Sequence, residues 1–497
     1  MSASDTSAGE ITDLPAHALA AAIEAGDVSC REVMQAYLDR IAAINPQHNA
    51  IVSLRDGDVL LREAERCDVE LVRHDADHAP LPFLFGIPQA IKDVVPTAGL
   101  RTTFGSPLLR DFIPAEDALM VQRMKAAGCI VIGKTNTPEF GLGSHTFNEV
   151  FGATRNAYDP TKSAGGSSGG AAVALAQRLL PVADGSDSMG SLRNPAAWNN
   201  VFGFRPSQGR IPAAPAQDVW VTQLGTEGPM ARTVKDLAHL LDIQSGYDAR
   251  APLSLASESS FAARLAEVSA PPRPRIGWLG DLGGHLAFED GILDVCIGGL
   301  NRLASIGCAI EPMALGFAPA RLWDAWLSWR WWLVHGRIAP FLKKPENRAF
   351  IKPEALWEHD HGAQLTGPQV MAASVERSAL YQHVLTLFER VDFLALPTTQ
   401  VWPFPVGERW PKEIAGRAMD TYHRWMEVVS LATFAGLPCI SVPVGFNAAG
   451  LPMGMQLIGR PRGDLDVLRL AQAYEVAASD VLAVRPPPQL ANERAAP

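Results

Sequence analysis

The pattern of apolar and polar positions divides the chain into helix-like and strand-like stretches that alternate. Leu14, Leu19 and Ile23, with several alanines, recur at helical spacing over residues 13–26. A second helix is predicted from Cys30. Ser29 and Glu32 form a capping box at its start, and Val33, Met34, Tyr37, Ile41 and Ala42 give it one apolar face. Residues 57–73 predict a third helix with a charged face. The period then changes. Gly86-Ile87-Pro88-Gln89-Ala90-Ile91-Lys92 reads as a short apolar strand carrying a lysine, 116–128 as a helix, and Ile130 to Gly133 as a buried strand. Lys134 to Phe140 reads as a loop. Strands are predicted again at Ile276 to Leu279, Phe393 to Leu396, Ile440 to Val444 and Met453 to Ile458, with helices at 287–306 and 464–478. Strands separated by helices indicate an α/β protein built on a large, mixed, twisted sheet with helices on both sides. No repeat or low-complexity linker cuts the chain. We therefore expect one domain over residues 13–485, a disordered start at 1–12 and a loose tail at 486–497. Residues 316–425 are the least regular and the richest in tryptophan, and read as an embedded variable region.

Composition narrows the function. With 497 residues, 47% of them hydrophobic, the chain can bury a large core. A formal net charge of −10 without a basic stripe argues against a nucleic-acid partner. Six cysteines without Cys-x-x-Cys spacing argue against a zinc site or disulfide framework, and suit a reducing cytoplasm. No apolar run is long enough for a membrane span, and the first ten residues lack a signal-peptide layout.

The chemistry concentrates between residues 163 and 193. Ser163-Ala164-Gly165-Gly166-Ser167-Ser168-Gly169-Gly170 and Asp184-Gly185-Ser186-Asp187-Ser188-Met189-Gly190-Ser191-Leu192-Arg193 flank an apolar segment. Glycine-rich loops bring bare backbone N–H groups close to a ligand. A phosphate loop is excluded, because no Lys-Ser/Thr follows Gly170, and the dinucleotide fingerprint is absent. A flexible linker does not contain a helix-like apolar segment. Lys92 lies inside an apolar strand, where burial would lower its pKa and make the neutral amine accessible. Of the 12 histidines, His145 lies nearest these loops, and as a lone histidine in a glycine-rich loop it reads as structural.

The two loops strongly resemble the amidase signature family of serine hydrolases, whose pattern is Gly-Gly-Ser-Ser-Gly-Gly followed by Gly-Thr-Asp-x-Gly-Gly-Ser-x-Arg-x-Pro. Ser191 follows Ser167 by 24 residues and Ser167 follows Lys92 by 75, both as in the family. The resemblance extends over roughly residues 13 to 480. It implies Ser191 as nucleophile, Ser167, after a cis peptide bond, as proton relay, and Lys92 as terminal base and acid. It further implies an oxyanion hole from the N–H groups of Ser188, Met189, Gly190 and Ser191. Gly165 and Gly166 would give room for the cis geometry, Ser168 would hydrogen-bond near the lysine, and Asp187 and Arg193 would brace the loop. Met189 departs from the family glycine. Its side chain either packs into the core behind the loop or forms part of the pocket wall. No metal or organic cofactor is expected.

Substrate contacts are expected from the loop after Thr137, including Phe140, Gly141 and Leu142, from the loop between Gln208 and Thr226, and from the variable region. Trp323, Trp326, Trp329, Trp331 and Trp332 cover too many angles of one helix to be buried together. Some, Trp326 and Trp329 among them, are expected at a groove. The Trp402-Pro403-Phe404-Pro405 run is expected at its rim, and Arg210 is a candidate gate or substrate contact. These features point to aryl or other apolar amides and to small aryl carbamates (urethanes), with side esterase activity. The expected enzyme is a cytoplasmic monomer or homodimer without nucleic-acid or membrane partners. The alternative is one component of a tRNA-dependent amidotransferase, hydrolysing glutamine.

Overall fold

The computed structural model describes residues 8–74, 80–256, 259–267 and 273–487. The helical hairpin near the N-terminus forms as its sequence dictates. Ser29 and Glu32 close a capping box on helix Cys30–His48, which ends at Asn49 in the left-handed conformation. Its partner helix is Gly57–His74. The stretch read as disordered is helical over Ala8–Asp13, anchored by buried Ile11; residues 1–7 of that stretch, like 488–497 of the tail, lie outside the described residues.

Three strands, β1 (Ile51–Val52), β2 (Pro88–Lys92) and β3 (Ile130–Thr135), form a small sheet in the order β1-β3-β2. The strand at 130 runs two residues further than the sequence suggested, because Lys134 is buried and its amine is satisfied by Val95 O and Thr97 Oγ1, both at 2.7 Å. The second sheet has eight strands: β4 (Val182–Asp187), β5 (Phe202–Arg205), β6 (Thr226–Ala231), β7 (Arg275–Trp278), β8 (Ala309–Pro312), β9 (Phe393–Pro397), β10 (Cys439–Phe446) and β11 (Pro452–Ile458). Their order is β8-β7-β9-β11-β10-β5-β6-β4. The sheet is mixed: β8, β7 and β9 run parallel and every other neighbour is antiparallel.

This sheet separates two cores by its period-two alternation. Phe393 and Ala395 join the first, with helices Val234–Gln244, Ile292–Ser305 and Asp464–Ala477; Leu394 and Leu396 join the second, with Trp198 and the tryptophan-rich segment. The variable region is more regular than its composition suggested, with long helices Pro319–Ile338 and Gly367–Phe388. The tryptophan helix packs against Pro353–Gly362 and Gly367–Phe388 together, so several of its faces are covered. Trp323, Trp326 and Trp329 are therefore core residues, while Trp331 and Trp332 are partly buried.

Candidate active site

The apolar segment between the serine loops is helix Gly169–Ala176 followed by β4. The helix is buried on every side, consistent with its lack of a polar face. A Cβ at Gly170 would collide with the Asn136 backbone and the Ala50 carbonyl, so only glycine lets the helix start this close to the small sheet. That packing sets the serine loop over the end of β2, where Lys92 is the last strand residue.

Lys92 is fully buried. Its amine lies 2.8 Å from Ser167 Oγ, 2.8 Å from Ser168 Oγ and 2.9 Å from Ser186 Oγ. Burial lowers its pKa to about 7, against the opposing pull of Asp184, Asp187 and Glu227. A neutral amine has two N–H groups and one lone pair, so among three hydroxyls it can donate to two and accept from one. The Lys92 backbone N–H donates to Asp184 at 3.1 Å, and burial raises that carboxyl to about 6.

The Gly166–Ser167 peptide is cis. The Gly166 carbonyl accepts from Ser144 Oγ, and the Gly165 carbonyl from the Thr146 N–H at 3.1 Å and hydroxyl at 2.8 Å. The Ser168 N–H donates to Ser191 O at 3.2 Å and ties the two loops together. Ser191 retains 7% exposure whereas Lys92 has none, so access from solvent is on the Ser191 side.

Asp187 organises the second loop. Its carboxylate accepts from the Gly190 N–H at 2.8 Å and the Leu192 N–H at 3.3 Å, which bracket residue 191. It also takes Arg193 Nε at 2.9 Å and Nη2 at 3.0 Å, and Arg205 Nη1 at 3.3 Å. Burial alone would push this carboxyl up; the Arg193 guanidinium, then Arg205, hold it well below the usual carboxylate range. The Gly190 N–H, expected among the oxyanion donors, is thus engaged by Asp187. Met189 is 2% exposed and belongs to the second core with Trp198, Leu224 and Trp425, so its side chain packs behind the loop.

The remaining expected contacts divide. A Cβ placed on Gly141 would stand 3.7 Å from Ser167 Oγ, so this loop borders the serine centre. Phe140 and Leu142 turn their side chains into a third small core, with Phe140 against Phe341 at 5.2 Å; Leu142 also borders a groove. That groove, about 270 Å³, runs past Ser144 between Phe147, Trp410, Tyr422 and Trp425. Its charges are internally matched: Arg409 pairs with Glu354, and Lys352 donates to Leu142 O. A wider depression of about 480 Å³ beside Gln208, Arg377 and Arg462 contains none of the serines or Lys92.

Three expectations are corrected. Arg210 is neither a free gate nor an open substrate contact: it pairs with buried Asp464 at 3.1 Å and lies over Phe261, because a half-buried guanidinium is stable only with such a partner. Trp326 and Trp329 do not line a groove, since neighbouring helices cover them. Phe404 packs on Trp198, Trp425 and His145 and so forms core, not rim. His145 is structural as expected: it bonds Ser163 Oγ at 2.7 Å and Val406 O at 3.0 Å. The sequence pattern did not single out Asp184, Arg205, Ser144 or Thr146. Among the described residues, no group of three or more His, Cys, Asp or Glu side chains is placed to hold a metal ion, and no helix is long and apolar enough to cross a membrane.

Fold and geometry together define an α/β protein with a buried lysine hydrogen-bonded to serines of two glycine-rich loops. The sequence profile of the family named Amidase matches residues 32–468. The chain is 35% identical to the amidase-family component of the glutamyl-tRNA(Gln) amidotransferase of Thermus thermophilus, covering 93% of this chain and 97% of that protein. It is 34% identical to an acylamidase of Rhodococcus erythropolis, over 93% and 95% of the two chains. Among solved structures, a bacterial aryl acylamidase of the amidase signature family superposes with a TM-score of 0.86 at 30% identity, covering 95% of this chain and 99% of that one. A 6-aminohexanoate cyclic dimer hydrolase gives 0.83 at 27%, covering 96% and 99%. The chain belongs to the amidase signature family and is a hydrolase of carbon–nitrogen bonds.

Proposed function

We propose that the protein hydrolyses apolar or aryl amides, and small aryl carbamates, by acyl transfer through Ser191, Ser167 and Lys92. The observation that carries this reading is the buried Lys92 amine, with a pKa near 7, 2.8 Å from the Ser167 hydroxyl. Ser191 Oγ attacks the carbonyl carbon while its proton passes to Ser167 and the Ser167 proton passes to Lys92. The C–N bond then breaks, and the departing amine takes the proton back along the same chain. Water, deprotonated by the same relay, attacks the acyl-enzyme, releasing the acid and restoring Ser191. The oxyanion meets the N–H groups of Ser188, Met189 and Ser191, while the Gly190 N–H, engaged by Asp187, fixes the loop.

The aryl preference is supported by the aromatic groove and by the acylamidase and aryl acylamidase relatives; the tryptophan helix, being core, does not bear on it. Carbamates and aryl esters present the same planar carbonyl to the same nucleophile. We place the enzyme in the cytoplasm as a monomer or homodimer. The second reading, glutamine hydrolysis within an amidotransferase, is favoured by the Thermus thermophilus relative. It is disfavoured by a groove whose cations are already paired and so offer no ready anchor for an α-carboxylate. The test is a kinetic panel at one pH with an acetanilide, an aryl carbamate, an aryl ester and glutamine, each also with Ser191→Ala. The anilide and carbamate should exceed glutamine in kcat/KM, and Ser191→Ala should abolish all turnover. The highest kcat/KM on glutamine would replace the aryl reading, and covalent labelling of Ser191→Ala by a serine-directed phosphonate would remove the assigned nucleophile.

A further inference from the structure

The carboxyl groups around Lys92 are engaged in different ways. Asp184 takes the Lys92 backbone N–H, and Asp187 is consumed by Arg193 and Arg205. Glu227 has no cation at ion-pair distance among the described residues. It stands on β6 directly opposite Ser186 on β4. Side chains of directly opposed residues in an antiparallel pair project from the same face, with Cβ atoms roughly 5 Å apart. Ser186 Oγ is 2.9 Å from Lys92 Nζ, so Glu227 shares the face of β4 and β6 that meets the amine. We propose that Glu227 is a positioning residue for the triad: across Ser186 it shares a proton with Lys92 and thereby sets the pH at which the amine becomes a free base.

The surroundings agree with this pairing. Burial first, and the nearby Asp184 charge second, raise the Glu227 carboxyl to about 8, while burial lowers Lys92 to about 7. Near neutrality the site can hold either a carboxylic acid beside a neutral amine, which is competent, or a carboxylate beside an ammonium, which is not. Other charges in range are committed elsewhere. Lys134 on β3 acts on Asp93 and Asp184, and Arg205 on β5 binds Asp187. Helix Gly169–Ala176 carries no charge, and on helix Val234–Gln244 Asp236 turns to Ala16 and His17. Removing the carboxylate should destabilise the ammonium, so the amine frees its lone pair at lower pH.

This inference rests on the proposed triad, and one experiment separates the two. The rate of Ser191 phosphonylation by an aryl fluorophosphonate is followed from pH 5 to 10 for wild type, Lys92→Met, Glu227→Gln and Glu227→Asp. Wild type should show an acid limb that Lys92→Met removes. Glu227→Gln should move its midpoint down by about half a pH unit or more, the effect of one charge roughly 7 Å away in a partly aqueous medium. Glu227→Asp, which keeps the charge, should restore most of the wild-type profile and guards against a general packing effect of the amide. A limb that survives Lys92→Met would overturn the triad. A limb abolished by Lys92→Met but unmoved by Glu227→Gln, or moved equally by Glu227→Asp, would overturn the role of Glu227 alone.

Discussion

Replacing Lys92 by methionine should abolish turnover and yet stabilise the fold at neutral pH. The magnitude follows from burial. Desolvation takes the Lys92 pKa from 10.5 to about 7 in the folded protein. The unfolded chain holds that proton up to its ordinary pKa, whereas the folded chain loses it near 7. Between these values the unfolded state binds more protons, so the penalty of burying Lys92 is full below pH 7 and fades as pH rises toward 10.5. At about 1.4 kcal/mol per unit, the penalty at pH 7 is about 4 kcal/mol. Against it stand the three serine hydrogen bonds, each contributing about 1 kcal/mol net. Lys92→Met should therefore be more stable than wild type by about 1–2 kcal/mol at pH 7. The difference should vanish near about pH 8 and reverse by about pH 10, where the amine is neutral in both states and its hydrogen bonds favour the wild type. Asp184 and Glu227 are present in both proteins, so the comparison isolates Lys92 to first order. The assay is urea unfolding of both proteins at several pH values. A difference constant to within about 0.5 kcal/mol from pH 7 to 10 would refute a depressed lysine and, with it, the general-base role.

Two other substitutions test the loop around Ser191. Met189→Ala should cost about 2–4 kcal/mol by urea unfolding, because the side chain is buried against the second core; a changed KM with unchanged stability would return it to the pocket wall. Asp187→Asn should cost about 3–5 kcal/mol and lower kcat, since it leaves two buried guanidiniums without their anion and weakens the hold on the Gly190 and Leu192 N–H groups; a loss under about 1 kcal/mol would show that the brace carries little.

Local code was sufficient for much of this protein. The Ser29–Glu32 capping box, the apolar strands and the spacing of the two serine loops are short-range patterns, and each forms where its residues predict. The place of Lys92 on a buried strand was legible for the same reason: an apolar run around one lysine already states its desolvation. What could not be read depends on which elements pack together. The angular spread of Trp323, Trp326 and Trp329 looked too wide for burial because one helix was weighed against one neighbour; two flanking helices cover the extra faces. Arg210 looked like an open loop residue because Asp464, its partner, lies 254 residues further along the chain. Arg205 and Glu227 reach the site only through sheet order and register: β6 lies between β4 and β5 and sets Glu227 against Ser186. Periodicity along a chain specifies which face of an element is apolar. It carries no information on what meets that face, and that pairing decided whether Met189 belonged to the pocket or the core, and which charges surround the lysine.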